Sequence, residues 1–344
     1  MPLVSFLMSN YKTPPAYLRR ALDSMLSQTM RDFEIVVIND GVKDASYDLL
    51  LEYAAKDDRI RLIENEENLG LPASLNKGID LCRGKYIARM DTDDICLPER
   101  LALQTNYMNA HPDVMFAGAW AYLFDEDETH PVGQWTPVMC GREEHRIRLL
   151  FSGEPLLIHP TVIFRASFLK EHGLRYSEDP QFRYTEDYEF WTRCADCGAA
   201  GILEHPVLLY RQAISDDRIT VRHAADMEAC NANVQKKLLA RLGIGAELYD
   251  GALNARLLAG RKPYDIRYKK WMGLILSHNR KKRIYDQSLM RRLFHDRWYN
   301  IVYYGIAYEK RPLKKLRYFF SLYPDGFFRF LKAMANRAAG GSHE

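Results

Sequence analysis

The chain is predicted to be an α/β protein. A mostly parallel sheet carries helices on both faces, and a helical region follows it. Three observations predict this. Strand-like and helix-like segments alternate from the first residues. The apolar runs end in polar groups that fall on one edge of the implied sheet. Beyond about Ile219 the alternation stops, and the chain becomes helical, basic and aromatic-rich.

Leu3–Met8 is the first strand, followed by a Pro14-Pro15 turn and a helix from about Tyr17 to Gln28. Phe33–Asn39 is the second strand; it runs into Asp40-Gly41, with a helix over Tyr47–Ala55. Ile60–Glu64 is a short third strand, leading through Asn68-Leu69-Gly70 to a helix over Ala73–Cys82. Tyr86–Met90 is the fourth, then a helix from Pro98 to about Asn109 and a strand at Val114–Ala119. Asp125–Pro137 reads as loop and Glu143–Phe151 as helix, with an apolar run at Val162–Phe164. Glu186–Cys197 is an amphipathic helix, with Phe190, Trp191 and Cys194 at helical spacing. Leu203–Tyr210 is a strand and Ala224–Leu242 a helix. These segments predict two domains, 1–222 and 223–344, with no internal repeat.

Hydrophobic residues make up 47% of 344, so the chain can build a sizeable core. The net charge of +3 hides an asymmetry: residues 261–337 hold about 20 Lys/Arg against about 5 Asp/Glu. The N-terminus opens directly into a buried-strand pattern rather than a signal peptide. No apolar run is long enough to span a bilayer. Six scattered cysteines fit a reducing cytosol, and Cys194-x-x-Cys197 has no second pair to complete a metal site.

Four strand ends present polar groups together: Ser9-Asn10-Tyr11, Asp40, Asn68 and the cluster Asp91, Asp93 and Asp94. Three neighbouring carboxylates repel one another unless a cation lies among them. A hard divalent ion shared with a diphosphate suits such oxygens. Tyr11 is placed to stack on a base, Asp40 to accept from a base N–H, Asp91 to bind a ribose hydroxyl and Asp93 to hold the metal. Asp40-Gly41 and Asn68-Leu69-Gly70 also read as plain turns, and Asp93 or Asp94 as a helix cap. Gly-rich phosphate loops are absent. Glu186-Asp187 opens a helix, where the dipole favours acids. A carboxylate held there at a cleft mouth can also serve as general base.

In order along about residues 3–220, the chain resembles family 2 glycosyltransferases of the GT-A fold, whose sheet is Rossmann-like. The resemblance rests on Val4–Tyr11, Ala21-Leu22-Asp23-Ser24 with Gln28-Thr29, and Phe33–Gly41. It continues through Glu64–Leu71, Asn76-Lys77-Gly78, Gly84–Asp94 and Leu97-Pro98-Glu99-Arg100. Further on lie His159-Pro160-Thr161, Glu186–Trp191 and Tyr210-Arg211. It implies inverting transfer of a sugar from a UDP-sugar to an acceptor hydroxyl, with Mn²⁺ or Mg²⁺. Asp91 and Asp93 would form the DxD motif, with Asp91 on the ribose and Asp93 on the metal. Asp40 would contact uracil with Tyr11 beside it; Ser9, Asn68, Lys77 and Arg89 would complete the donor site. Asp187 would be the base and Glu186 its neighbour on sugar or acceptor. His159 and Arg211 would line the donor and phosphate sites, with Asp94 and Trp191 as weaker substrate contacts. Two departures stand out: Met8-Ser9-Asn10 replaces a Pro-containing loop, and Asn39 stands where a second Asp is common.

The sugar is not legible; galactose, glucose or their N-acetyl forms are the expectation. Acceptors of bacterial relatives are often saccharides on polyprenyl lipids, in capsule, O-antigen or exopolysaccharide assembly. Basic residues interleaved with Trp298, Tyr299, Tyr303, Tyr304, Tyr318 and Phe319 suit an anionic membrane surface, as they suit a packed helical subdomain. The expected location is the cytoplasm, peripheral on the inner membrane's cytoplasmic face. No nucleic-acid module accompanies the charge. A nucleotidyltransferase would carry Gly in Ser9–Pro15, which has none, and a basic scaffold would need neither acid cluster.

Overall fold

The computed structural model describes residues 1–125, 127–138, 140–152, 156–212, 223–249 and 267–307. The chain divides into two compact units, Met1–Val234 and Gln235–Glu344.

The first unit is built on β1 (Val4–Asn10), β2 (Phe33–Asn39), β3 (Ile60–Glu64) and β4 (Tyr86–Arg89). Continuous apolar runs suit strands covered on both faces, and β2 and β4 are buried along their whole length. β1 pairs in parallel with β2 on one side and β4 on the other, and β2 pairs in parallel with β3. The intervening helices are α1 (Pro15–Leu26), α2 (Ala45–Lys56) and α3 (Leu71–Leu81). Proline opens α1, its fixed φ suiting the first turn. Asp44 caps α2 by accepting from the backbone of Ser46 at 3.0 Å and Tyr47 at 3.3 Å.

Next come β5 (Ile95–Cys96), α4 (Arg100–Ala110), β6 (Val114–Phe124) and β7 (Gly133–Trp135). They are followed by α5 (Arg142–Ser152), a 3₁₀ turn at His159–Thr161, β8 (Ile163–Arg165) and α6 (Ala166–Glu171). A second 3₁₀ turn at Pro180–Phe182 leads to α7 (Glu186–Cys197) and β9 (Ala199–Arg211). The sheet order is β3-β2-β1-β4-β8-β6-β9-β5, with β7 paired to β6. β8 runs antiparallel to β4 and to β6, whereas β9 runs parallel to β6. The sheet is therefore mostly parallel in its first half and mixed in its second.

Strand order reverses between β1 and β4, with β2 and β3 lying beyond β1. Such a switch leaves a crevice at the carboxyl ends of the two diverging strands. Asn10-Tyr11 and Met90-Asp91 are what the sequence places there. Beneath it, Phe6, Met8, Leu22, Ile35, Val37 and Ala88 belong to one buried cluster.

Three sequence expectations needed correcting. β6 continues to Phe124, β7 lies inside the stretch read as loop, and β9 starts at Ala199 rather than Leu203. Ala199-Ala200-Gly201 has weak strand propensity, so pairing with β6 decides it. Gly201 is required: a Cβ there would come within 2.6 Å of the Tyr107 hydroxyl.

α8 (Ala224–Arg241) spans the division between the units. In the second unit, α9 (Arg267–Lys282) and α10 (Gln287–Ala307) form a hairpin. Buried Asn279 holds it, donating to the Tyr285 carbonyl at 2.9 Å and Gln287 Oε1 at 2.7 Å. Tyr268, Trp271, Phe294 and Trp298 are buried. The side chains of Tyr299, Tyr303 and Tyr304, and all of Tyr318 and Phe319, lie outside the described residues. No helix among the described residues is long and apolar enough to cross a membrane.

Candidate active site

At the end of β2, Asp40 is 2% exposed. Its carboxylate accepts from Asn65 Nδ2 at 2.8 Å, Leu69 N at 2.8 Å and Gly70 N at 2.9 Å. Lys77 braces the same loop, donating to the Glu64 carbonyl at 2.8 Å and Asn65 Oδ1 at 2.9 Å. Gly41, at φ +78°, lies under this loop, and a Cβ there would reach 2.1 Å from the Glu67 carbonyl carbon. Asp40 and Lys77 thus shape the 64–70 loop from within, leaving Asn68 exposed on it. Ser9 is half-buried on β1, opposite Ile38. Tyr11 is 46% exposed, with Lys12 Nζ 5.2 Å from its ring centroid.

At the end of β4 the three acids diverge in their partners. Asp91, partly exposed, pairs with the buried Arg89 guanidinium. Asp93 accepts from Arg211 Nη2 at 3.0 Å and Nε at 3.2 Å. Asp94 is buried; its Oδ1 accepts from the Arg211 backbone at 2.8 Å, and its Oδ2 has no hydrogen-bond partner among the described residues. Burial and the charge of Asp91 push the Asp93 carboxyl up, against the pull of Arg211. Burial with the charges of Asp91 and Asp93 raises Asp94 well above the carboxylate range.

The second acid pair opens α7. Asp187 Oδ1 accepts from the Tyr188 backbone N–H at 2.7 Å. Burial and then the charge of Glu186 push the Asp187 carboxyl up to about 7, outweighing the helix N-terminus and Arg89. Glu186 is raised as well, by burial first, with Asp91 adding to it and Arg89 opposing. Both clusters therefore lie in the field of Arg89, and the charge of Asp91 reaches Glu186.

His159 shares a 2.8 Å hydrogen bond with the Tyr176 hydroxyl. Burial, then the charge of Arg89, lowers its imidazole well below the usual range and keeps it neutral. Trp191 corrects its expectation: at 0% exposure it stacks among Phe116 and Phe164 and meets His159 edge-on at 5.7 Å. It braces His159 from the core instead of meeting substrate.

Three supporting residues escaped the reading of individual roles. Asn76 clamps the segment carrying Tyr176, donating to its carbonyl at 3.0 Å and accepting from its N–H at 2.8 Å. Arg100, fully buried, donates from Nη2 to the Arg89 carbonyl at 2.7 Å. Tyr17 offers its ring to Arg211, 4.2 Å from centroid to guanidinium. Asn76 and Arg100 lie in segments that carry the family resemblance. Tyr176 and Tyr17 have no local signal.

Residues 5–173 match the model of "Glycosyl transferase family 2". The chain is 37% identical over 212 residues to an uncharacterized glycosyltransferase of Methanocaldococcus jannaschii, covering 61% of this chain and 71% of that one. The chain belongs to glycosyltransferase family 2. The transferase is also 32% identical over 226 residues to the amylovoran biosynthesis glycosyltransferase AmsE of Erwinia amylovora, covering 65% of this chain and 78% of that one. Its fold is that of S. aureus TarS residues 1–349, solved in complex with UDP-GlcNAc. The TM-score is 0.54 at 18% identity, over 88% of this chain and 80% of that one. These findings establish a glycosyltransferase with a GT-A sheet.

The donor chemistry at the β4 end suits a divalent ion. Asp93 presents hard oxygens that are 36% exposed, beside acids whose charge adds to burial in raising it. No group of three or more His, Cys, Asp or Glu side chains gathers as a metal cage among the described residues. One carboxylate completed by diphosphate oxygens and water is a usual Mg²⁺ arrangement.

Proposed function

We propose that this transferase moves a hexose or N-acetylhexosamine from a UDP-sugar to a saccharide hydroxyl, with inversion, in surface-polysaccharide assembly. The observation that supports the reading best is the electrostatic coupling of two acid clusters, Asp91 acting on Glu186, with burial pushing Asp187 up to about 7. A general base works best with a pKa near the working pH. Asp187 takes the acceptor proton as the acceptor oxygen attacks the anomeric carbon opposite the departing UDP. One displacement inverts that centre, so an α-linked donor gives a β-linked product.

Asp91 binds the ribose diol, and Tyr11 and the loop held by Asp40 receive the uracil. Asp93 holds Mn²⁺ or Mg²⁺, with Arg211 beside the diphosphate. The bound metal supplies Lewis-acid stabilisation of the charge on the leaving UDP. His159, neutral and fixed by Tyr176, lines the sugar side without adding positive charge. The likeness to AmsE, named for amylovoran biosynthesis, supports a polysaccharide acceptor, here taken to be lipid-linked.

Residues 261–337 are proposed to hold the enzyme to the cytoplasmic face of an anionic membrane; their charge supports this. The burial of Trp271 and Trp298 leaves the basic side chains, rather than those rings, to make such a contact. Liposome co-sedimentation tests it: a chain truncated near residue 260 should lose binding to anionic vesicles, and unchanged binding refutes the anchor. The donor reading is tested by UDP release from a nucleotide-sugar panel, with Mn²⁺ and then EDTA. Release from one UDP-sugar, lost with EDTA, is expected. Release from GDP- or CMP-sugars alone, or UDP release that EDTA leaves unchanged, would overturn it.

A further inference from the structure

Asp93, the carboxylate offered to a divalent ion, already holds a cation of the chain's own. Arg211 ends β9, and Asp93 lies between β4 and β5. The guanidinium donates from Nη2 at 3.0 Å and from Nε at 3.2 Å, and both bonds fall on Asp93 Oδ2.

Three contacts fix this pair in place. The Arg211 backbone N–H donates to Asp94 Oδ1 at 2.8 Å, and Ile95 is in register with Leu209, so the end of β9 runs beside Asp93-Asp94. The Tyr17 ring on α1 has its centroid 4.2 Å from the guanidinium carbon. Thr13 Oγ1 donates to Thr92 Oγ1 at 2.8 Å, tying the approach to α1 to the residue before Asp93. The Arg211 side chain is 16% exposed and that of Asp93 36%, so the two charges act on each other more strongly than at an open surface.

A dication and a guanidinium cannot share one oxygen. An ion on the other oxygen of the same carboxylate still meets the positive charge. The ion gains its place when another anion takes the guanidinium. Phosphate suits, because the planar fork binds its oxygens two at a time through charge-assisted bonds. A diphosphate can do this while also giving the ion oxygens that a single carboxylate cannot supply.

We propose that Arg211 keeps a divalent ion off Asp93 until a nucleoside diphosphate takes the guanidinium, so that ion and nucleotide bind together rather than in turn. The proposal rests on the nucleotide reading given above. The Arg211 backbone stays bonded to Asp94 while the side chain changes partner. Ion and nucleotide then raise each other's affinity by the same factor. A simple brace of the site would be needed for ion binding. Arg211 has the opposite sign: its removal strengthens ion binding without nucleotide and weakens nucleotide binding with the ion.

The test titrates the full chain with Mn²⁺ alone, the free ion being counted by electron paramagnetic resonance. Arg211→Gln and Arg211→Met should bind Mn²⁺ about 5- to 150-fold more tightly than wild type, the usual span of a coupling between two ligands. Arg211→Lys keeps a positive charge and should stay close to wild type. Adding Asp93→Ala to Arg211→Gln should cancel the gain. Calorimetry with UDP at saturating Mn²⁺ should show both neutral variants binding UDP more weakly than wild type. Neutral variants that bind Mn²⁺ no more tightly than wild type, a gain that survives Asp93→Ala, or an unchanged UDP affinity each overturns the proposal. Thermal melting selects which neutral variant is read, and either one leaves the backbone bond to Asp94 in place. All those outcomes leave the nucleotide reading standing. A wild type that binds no UDP at any Mn²⁺ concentration removes that reading, and the proposal with it.

Discussion

Asp93 and Asp187 are the same side chain in two acid clusters, yet their surroundings differ. Asp93 accepts from the Arg211 guanidinium at 3.0 Å, and its neighbour Asp91 pairs with Arg89. Among the described residues, Asp187 accepts from its own helix's N-terminus, beside a second acid. Burial and a neighbouring acid raise both carboxyls, but at Asp93 the Arg211 guanidinium opposes the rise directly, whereas at Asp187 the opposition comes from a backbone N–H and the field of Arg89. The first arrangement suits a ligand of phosphate and metal, the second a proton acceptor.

The sharpest break of that comparison is Asp187→Asn, which keeps the shape and removes the base. Transfer should fall by at least about 10³-fold, within the range for losing a general base. UDP affinity should hold within a few-fold by calorimetry. Near-normal turnover would remove Asp187 from the chemistry. Asp93→Ala should act in the opposite manner, abolishing the metal dependence of UDP binding while leaving Asp187 in place. A metal titration identical to wild type would show that Asp93 holds no ion.

pH sharpens the same contrast. The Asp187 carboxyl stands at about 7 in the folded chain against an ordinary 3.8. Its protonated form cannot accept a proton, so kcat/KM should rise tenfold per pH unit below about 7 and level above it. Stability should move the other way. Between about 4 and 7 the folded chain binds the proton that the unfolded chain has lost, so stability falls as pH rises. Asp187→Asn removes that loss, and its Tm relative to wild type should be higher at pH 8 than at pH 5. An unchanged difference would show that Asp187 ionises normally.

The parallel half of the sheet was legible because each apolar run ends in the polar residues of the site. Asn10 ends β1, Asp40 follows β2 directly, and Asp91 lies two residues beyond β4. Arg89 was also within reach, as the lone charge in an apolar strand, where a buried cation needs a partner. The mixed half was less so. Ala199-Ala200-Gly201 becomes strand only through β6, and Gly133–Trp135 is held as β7 by pairing with Ala121–Leu123. Trp191 misled because helical spacing marks a core residue and a cleft residue alike. Contacts such as Asn76 to Tyr176 join residues a hundred positions apart, and no local pattern encodes them.

That last contact gives the mildest prediction. Asn76 is 9% exposed and binds both backbone groups of Tyr176, with a further 2.9 Å bond to Glu178 Oε1. Asn76→Ala leaves the Tyr176 N–H and carbonyl unmatched, a loss of about 1–3 kcal/mol per buried group before any relaxation. Tyr176 fixes His159, and among the described residues no hydrogen bond joins its hydroxyl to either acid cluster. The variant should therefore lose several degrees in Tm and only a few-fold in transfer, with the pH midpoint of kcat/KM unmoved. A shifted midpoint would mean that the Tyr176 segment tunes Asp187 directly. The base would then be controlled from α3.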